Sequence, residues 1–448
     1  MKQTKTTLII VFLIAQSSFA QTKLENYIED GLKNNETIKQ QGFLLSKSMY
    51  ALKEAKTLFL PNVNFSTIYT IADGGRTIDV PLGDLLNPAY NTLNQLTGTN
   101  NLPPLENKSI LLNPNNYYDA KFRTSMPLLN AEIIYNKRIK SQQVDFQKTE
   151  IDLYKRELVK EIKIAYYKYS QSVKAIEIYK SALKLVLENK RINTSLFNNE
   201  KVNRTAVIRS ENEVNKMNAL LITAQQNEKS AKQYFNFLLN KPLENEINVD
   251  DLTAKPLENE IENNEVSNRE EILKLKSAQT INENVIKLNK SFLVPKIGTF
   301  IDLGSQAFDW EFNDKSRYYL FGISLDWNVF SFGKNNYKTK QAQTDQDYLQ
   351  SQEKYVEQQL TTQLLVAKNN FQSAIANYEA SKSQLITADK YYADIQKMYK
   401  EGQVIFIELL DAQNQLINAQ LQSNISLYDT WIKYAEIERA NASFKLNN

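Results

Sequence analysis

The 448-residue chain contains no cysteine and no histidine. Their absence excludes disulfides, zinc sites built on Cys or His, cysteine nucleophiles and every triad that needs an imidazole base. Glycine and proline are scarce, at 11 and 10 residues, or roughly 2% each where ordinary usage is about 7% and 5%. A chain so poor in breakers is mostly long helix. The sequence also lacks GxGxxG, GxxxxGKS/T and GxSxG, and Gly333-Lys334 has no upstream glycine of a phosphate loop. No enzymatic activity and no cofactor are therefore expected. Carboxylate-only chemistry such as glycoside hydrolysis is not excluded by motif, but breaker-free helices offer it no obvious pocket. Lys plus Arg number 54 against 51 Asp plus Glu, a formal charge of +3. That balance gives no reason to expect a nucleic-acid partner.

The few breakers are crowded together. Seven prolines and four glycines lie between Pro61 and Pro127, whereas Leu128 to Lys241 has neither and Lys334 to the C-terminus has only Gly402. Two such stretches predict helical hairpins. Within the first, Ile151, Tyr154, Leu158, Ile162, Ala165, Tyr169, Val173, Ile176, Tyr179, Leu183 and Val186 step by threes and fours. Val356, Leu360, Leu364, Ala367, Phe371, Tyr378, Leu385, Ala388, Tyr392, Ile395 and Tyr399 repeat the pattern. In the first stretch the mean step of about 3.5 residues is that of a left-handed coiled-coil seam. One helix from Ala131 to Leu196 would be about 100 Å long at ~1.5 Å per residue.

The N-terminus predicts export. Lys2 and Lys5 precede an apolar run from Leu8 to Ala15, and Ser18-Phe19-Ala20 precede Gln21, a secretory signal cut after Ala20. No other apolar run approaches the ~18 residues of a transmembrane helix. Entry into a membrane must then be by strands. Four segments alternate: Val63 to Ile71, Tyr118 to Leu128, Ile297 to Leu303 and Tyr319 to Val329. In the second, Asp119, Lys121, Arg123 and Ser125 oppose Tyr118, Ala120, Phe122, Thr124, Met126 and Leu128; in the fourth, Gly322, Ser324, Asp326 and Asn328 form the polar row. Such strands suit a lipid-exposed barrel with a wet lumen, its lumen charges being Asp119, Lys121, Arg123 and Asp326. Alternation alone does not separate this from a half-buried periplasmic sheet. The signal sequence and the flanking aromatics Trp310, Tyr117 and Tyr318 favour the barrel. Four strands do not close one, so copies of the chain must join to hide the sheet edges.

The order of short helix, two strands and long hairpin occurs twice. Phe59-Leu60-Pro61-Asn62-Val63 parallels Leu293-Val294-Pro295-Lys296-Ile297, and the turn Phe197 to Glu211 parallels Tyr399 to Gln413 at a distinctly shorter offset. The first half thus carries an insertion between its strands, rich in Gly, Pro and Asn, read as an exposed loop. The domains expected are a signal peptide at 1–20, a first repeat at 21–240, an acidic linker at 241–271 and a second repeat at 272–448. Lys-Pro-Leu-Glu-Asn-Glu-Ile occurs at 241–247 and again at 255–261, which reads as a local duplication in a solvated connector.

Together with Tyr399-x-x-Gly402 and Leu409-Leu410-Asp411-Ala412-Gln413-Asn414-Gln415-Leu416-x-x-Ala419-Gln420, this organisation resembles the TolC family of outer-membrane efflux proteins over essentially the whole mature chain. The resemblance implies an α+β membrane protein in the outer membrane. A homotrimer would form one 12-stranded β-barrel, with four strands per chain, continued into the periplasm by a long α-helical coiled-coil barrel. It further implies a porin-like exit duct for a tripartite efflux or type I secretion system. Its partners would be outer-membrane lipid, a periplasmic adaptor (membrane fusion protein) and an inner-membrane pump of RND, ABC or MFS type. The family's entrance carboxylates correspond to Glu408 and Asp411, which in a trimer make a ring of six, selective for cations and able to bind multivalent ones. The bland reading is two solvated tip charges. The family's Arg–Asp lock falls on Val404 and Ala206 and does not form; Arg204 and Arg209 are the substitute gate partners. Glu200 stands where the family often has a tip glycine, so adaptor contact is expected from Tyr399, Gly402, Gln403 and Val404. The competing class is a non-transporting envelope protein, an adaptor, adhesin or spacer. An adaptor would have one hairpin flanked by Gly-rich β-domains, and an adhesin would need no polar lumen rows.

Overall fold

The computed structural model describes residues 23–256 and 266–446. The expected signal peptide and most of the second heptapeptide lie outside the described residues. The chain divides into two units, Met1–Ser48, Gln143–Thr280 and Asp347–Asn448 forming one, and Met49–Gln142 and Ile281–Gln346 the other. The helices are α1 (Lys23–Asn34), α2 (Glu36–Thr57), α3 (Leu82–Thr97), α4 (Ala131–Asn198), α5 (Arg204–Leu238), α6 (Glu270–Lys290), α7 (Lys334–Lys400) and α8 (Phe406–Ala440). The strands are β1 (Asn62–Thr70), β2 (Thr77–Val80), β3 (Lys108–Leu111), β4 (Tyr117–Leu129), β5 (Lys296–Phe308) and β6 (Arg317–Asp326). No helix among the described residues is long and apolar enough to cross a membrane.

The first unit is helical. Helices α4 and α7 run for 68 and 67 residues, because nothing in either interrupts the backbone hydrogen bonds. Asn130 starts α4 by accepting bonds from the amides of Glu132 and Ile133, as an N-cap does. Every seam residue read from the sequence in α4 and α7 is buried or half-buried. Leu158, Ile162 and Tyr166 of α4 pack with Ile28 of α1 and Phe235 of α5. Leu364 and Phe371 of α7 pack with Ile437 of α8, Tyr392 and Tyr399 with Leu409 and Leu416, and Val186 and Met217 with Ile417.

Element boundaries recur at the offset that relates the two hairpin turns. Helix α5 spans 204–238 and α8 spans 406–440. Both are followed by a residue at positive φ, Asn240 at 54° and Ala442 at 55°. The bonds there match too: Lys241 N to Asn236 O in one, Ser443 N to Glu438 O in the other.

The acidic linker departs from the expected solvated connector. Ile247 and Val266 are buried, and Val249 and Leu252 join the α1–α4–α5 core. Polar bonds fasten it as well: Asn248 N donates to the Tyr27 hydroxyl, Asp250 N to that of Tyr166, and Trp431 Nε1 to Ala254 O. Apolar residues at 247, 249 and 252 among the acids hold it down, and Glu270 and Glu271 already belong to α6.

In the second unit four strands form one antiparallel sheet in the order β1-β4-β5-β6. They are the four read from the alternation, with corrections at two ends. Ile71 falls beyond β1, whose last pair is Thr70 with Tyr117. Trp327 and Val329 fall beyond β6, because Asp326 already pairs with Lys296, the first residue of β5, and leaves later residues nothing to bond. The insertion between β1 and β4 is also more than a loop. Strands β2 and β3 pair in it, with α3 between them.

Candidate functional site

Each long hairpin of the helical unit turns through the same backbone geometry. At the first tip Glu200 N bonds Phe197 O and Lys201 N bonds Leu196 O; at the second Gly402 N bonds Tyr399 O and Gln403 N bonds Met398 O. These are paired Schellman-type bonds that satisfy the last helical carbonyls. They require positive φ at Glu200 (62°) and Gly402 (76°). Asn203 then caps α5 by accepting the Ala206 amide, whereas Ile405 offers α8 no side-chain cap.

Between the tips lies a groove of about 1040 Å³ lined by both. Arg209, Ala206, Gly402 and Val404 lie on it; Gly402 and Gln403 are exposed and Val404 half-buried. Tyr399 differs from expectation. It is only 5% exposed, its hydroxyl bonds Asn193 Oδ1, and its ring packs beside Phe406 with centroids 6.0 Å apart. Its side chain holds the tip together and presents little surface to a partner. Glu408 and Asp411 are exposed on α8, and Asp411 accepts a bond from Gln415 Nε2 at 2.7 Å. Among the ion pairs within the described chain, none joins Arg204 or Arg209 to either carboxylate. The expected gate pairing therefore does not occur inside one subunit.

A buried polar layer sits behind the tips that sequence reasoning missed. Asn193 Nδ2 donates to Ser210 Oγ at 2.5 Å and Asn189 Nδ2 to Gln413 Oε1 at 2.5 Å. The polar positions in otherwise apolar seams were the available signal. Gln413 of the family-like motif is thus a packing residue, 1% exposed.

A second cluster in this unit is ionic. Arg156 Nε reaches both oxygens of Glu270 at 2.8 Å, and its Nη1 donates to the carbonyls of Ala442 and Phe444. Arg439 bridges Glu157 at 2.9 Å and Glu271 at 2.8 Å. Burial pushes the Glu271 carboxyl up, but the Arg269 hydrogen bond and the charges of Arg439 and Arg269 outweigh it and hold the group below the usual range. Burial opposes ionisation of Glu157 too, and there the bonds from Lys160 and Arg439 prevail and hold it low. Arg156 and Arg439 thus tie Glu157, Glu270 and Glu271 together, and this cluster is a structural clamp.

In the sheet unit, registry decides which charges meet. Arg123 stands opposite Asp302 and binds it in bidentate fashion, Nε to Oδ1 at 2.7 Å and Nη2 to Oδ2 at 2.6 Å. Its guanidinium also lies 4.7 Å from the centroid of the Phe300 ring. Lys121 Nζ bonds Asp119 Oδ2 at 2.6 Å, and Tyr318 OH donates to Asp119 Oδ1 at 2.7 Å. Three of the four expected lumen charges therefore share one face, and Asp302 completes their network. Tyr318 belongs to that polar face too. Asp326 lies at the strand end, exposed. Gly322 leaves room for Phe300, whose ring a Cβ there would meet at 2.6 Å. The other face is apolar and uncovered: Val63, Phe65, Phe122, Leu303, Tyr319, Phe321, Ile323 and Leu325 are all exposed. Trp310 stacks on Tyr118 and Tyr69 at one end of it. Among the described residues no group of acidic side chains is arranged to hold a metal ion.

A four-stranded sheet with one exposed apolar face and two long helical hairpins are the features by which the fold compares with known proteins. The fold matches the outer membrane channel CmeC of Campylobacter jejuni with a TM-score of 0.73, 13% identity, and coverage of 94% of this chain and 85% of that one. It matches the outer membrane protein VceC of Vibrio cholerae with a TM-score of 0.74, 12% identity, and coverage of 94% and 96%. It matches the outer membrane channel MtrE of Neisseria gonorrhoeae, solved in an open state, with a TM-score of 0.72, 15% identity, and coverage of 94% and 88%. No curated protein matches the chain in sequence. Residues 263–440 match the family model described as outer membrane efflux protein. The chain's resemblance to the outer-membrane efflux proteins is thus borne out in sequence over its second half and in fold over nearly all of it.

Proposed function

We propose that the chain is one subunit of a homotrimeric exit duct in the outer membrane, serving a tripartite efflux or type I secretion system. The carrying observation is the four-stranded sheet, which has an exposed apolar face, an ion-paired polar face and two open edges, β1 and β6. Open edges in lipid leave backbone groups unsatisfied at a cost of several kcal/mol each. Pairing β6 of each copy with β1 of the next removes every edge and gives 12 strands from three chains. The apolar face then meets lipid, and Asp119, Lys121, Arg123, Asp302 and Asp326 line the lumen. The recurrence of α5 in α8, with matching turns at both ends, supports a tandem duplication as the origin of the two hairpins.

In the trimer Glu408 and Asp411 ring the periplasmic entrance. Arg204 or Arg209 of an adjoining subunit pairs with Glu408 or Asp411 as the gate partner, since no such pair forms among the described residues of one chain. Gly402 and Val404, which line the tip groove, and the exposed Gln403 beside them face the periplasmic adaptor, and the inner-membrane pump selects the substrate. Purified protein in a planar bilayer should form a cation-preferring channel that multivalent cations reduce. Glu408→Ala with Asp411→Ala should relieve that reduction, and Arg204→Ala or Arg209→Ala should raise open probability. A protein that extracts without detergent, or a monomer that conducts nothing, sinks the duct and favours a non-transporting envelope protein.

A further inference from the structure

Helix α3 lies in the insertion with its polarity inverted relative to its surroundings. Its polar side is engaged by the chain itself. Asn87 exchanges bonds with the backbone of Leu105, Asn94 with that of Leu102, and Asn107 accepts the Gly83 amide and donates to Asp84. Gly83 permits the close approach, because a Cβ there would meet Leu105 O at 2.3 Å. The opposite side carries Leu82, Leu85, Leu86, Leu93 and Leu96, all exposed, Leu85 at 68% and Leu96 at 79%.

We propose that this leucine face packs against the same face of neighbouring copies of the chain, joining three α3 helices at the outer mouth of the duct; the inference rests on the trimeric reading above. Leu82, Leu86, Ala89, Leu93 and Leu96 follow one another at steps of four, three, four and three, the heptad spacing of a helix–helix seam. The connection holding α3 leaves from β1, an edge strand of the sheet, so it departs from the line where the next copy must join. Lipid is the weaker occupant. An interfacial helix carries Lys or Arg towards the headgroups, whereas α3 has neither, and its one charge, Asp84, is already bonded to Asn107.

The chain has no native cysteine, so single-cysteine variants report directly. Leu86→Cys and Leu93→Cys sit on the seam, and Asn91→Cys sits on the far side as control. After oxidation of the full-length protein in phosphatidylethanolamine–phosphatidylglycerol vesicles, each seam variant should place about two thirds of its chains in a disulfide-linked dimer, the most that three symmetric copies permit. The control should stay at background. Seam variants that cross-link no better than the control overturn the interface, and labelling of Leu93→Cys by a bilayer-confined thiol reagent would assign the face to lipid instead. Mass measurement on the same samples separates the failures: an intact trimer without seam cross-links refutes the α3 contact alone, whereas monomers refute the trimeric duct with it. As a second variant, Leu93→Glu places three acids at one seam level and should lower the temperature at which the trimer dissociates; an unchanged temperature counts against the contact.

Discussion

The two hairpin tips make one backbone turn from different residues. Glu200 and Gly402 share positive φ and the same pair of hydrogen bonds, yet only the second has the residue that adopts this conformation without penalty. Conversely, Asn203 caps the first return helix and Ile405 leaves the second uncapped. A left-handed non-glycine costs about 1–2 kcal/mol, and a side-chain cap contributes ~1 kcal/mol. Each tip therefore combines one favourable and one unfavourable choice, in opposite places. The turn is kept by its backbone bonds while the side chains around it are free to diverge.

The largest difference lies at the last helical turn. Tyr399 is buried, and its counterpart at the first tip, Phe197, is 40% exposed. Tyr399→Ala should lower the free energy of unfolding in denaturant by about 3–5 kcal/mol, and Phe197→Ala by well under half of that, as partly exposed positions do. Helical circular dichroism against denaturant measures both. Equal losses would remove the asymmetry on which Tyr399 is assigned to packing.

This asymmetry marks where the sequence stops being readable. The seams of α4 and α7 were legible because their apolar steps report burial directly, and the four strands because alternation reports two faces. Tyr399 was legible as a seam residue but not as a poor contact site, since a tyrosine fits either role until its hydroxyl partner is known. Asp302 alternates with Ile301 and Leu303 in the third segment, yet only the register opposite Arg123 makes it 1% exposed and paired. The insertion was hidden for another reason: its Gly, Pro and Asn content reads as loop, and here the asparagines hydrogen-bond the backbone that anchors α3. The linker misled in the same way, because three apolar residues among many acids are enough to dock it.

The turn residues themselves give the next effect. Nothing lies within 4 Å of a Cβ placed on Gly402, so Gly402→Ala isolates backbone strain and should cost about 1–2 kcal/mol. Glu200→Gly should gain about 1 kcal/mol or less, because the added freedom of the unfolded chain offsets part of the relief. The caps come after that. Asn203→Ala should cost about 1 kcal/mol and Ile405→Asn should gain somewhat less. If Ile405→Asn destabilises while Glu200→Gly stabilises, the two tips are not variants of one turn and the comparison breaks.

The smallest effect concerns the other ends of the same return helices, where acid should distinguish them. At the end of α5 the neutral amide of Asn236 donates to Leu243 O and Asn245 O. At the matching end of α8, Glu438 pairs with Lys163, and Arg439 with Glu157 and Glu271. Glu157 and Glu271 are held below the ordinary value of 4.5 in the folded state. A carboxyl with a lowered folded value adds stability above its unfolded value, and that contribution is lost as pH falls through the folded one. Glu161 opposes this: its burial and the charge of Glu157 raise its value, so it protonates first and slightly relieves the cluster. As pH falls past the ordinary carboxylate range and the lowered pair takes up protons, the balance turns against the α8 end. Hydrogen exchange at the Asn441 and Ser443 amides, bonded to Ile437 and Glu438, should then accelerate relative to that at Leu239 and Lys241 after correction for intrinsic chemistry. Equal acceleration at both ends would mean that the ionic clamp contributes nothing that the neutral asparagine does not.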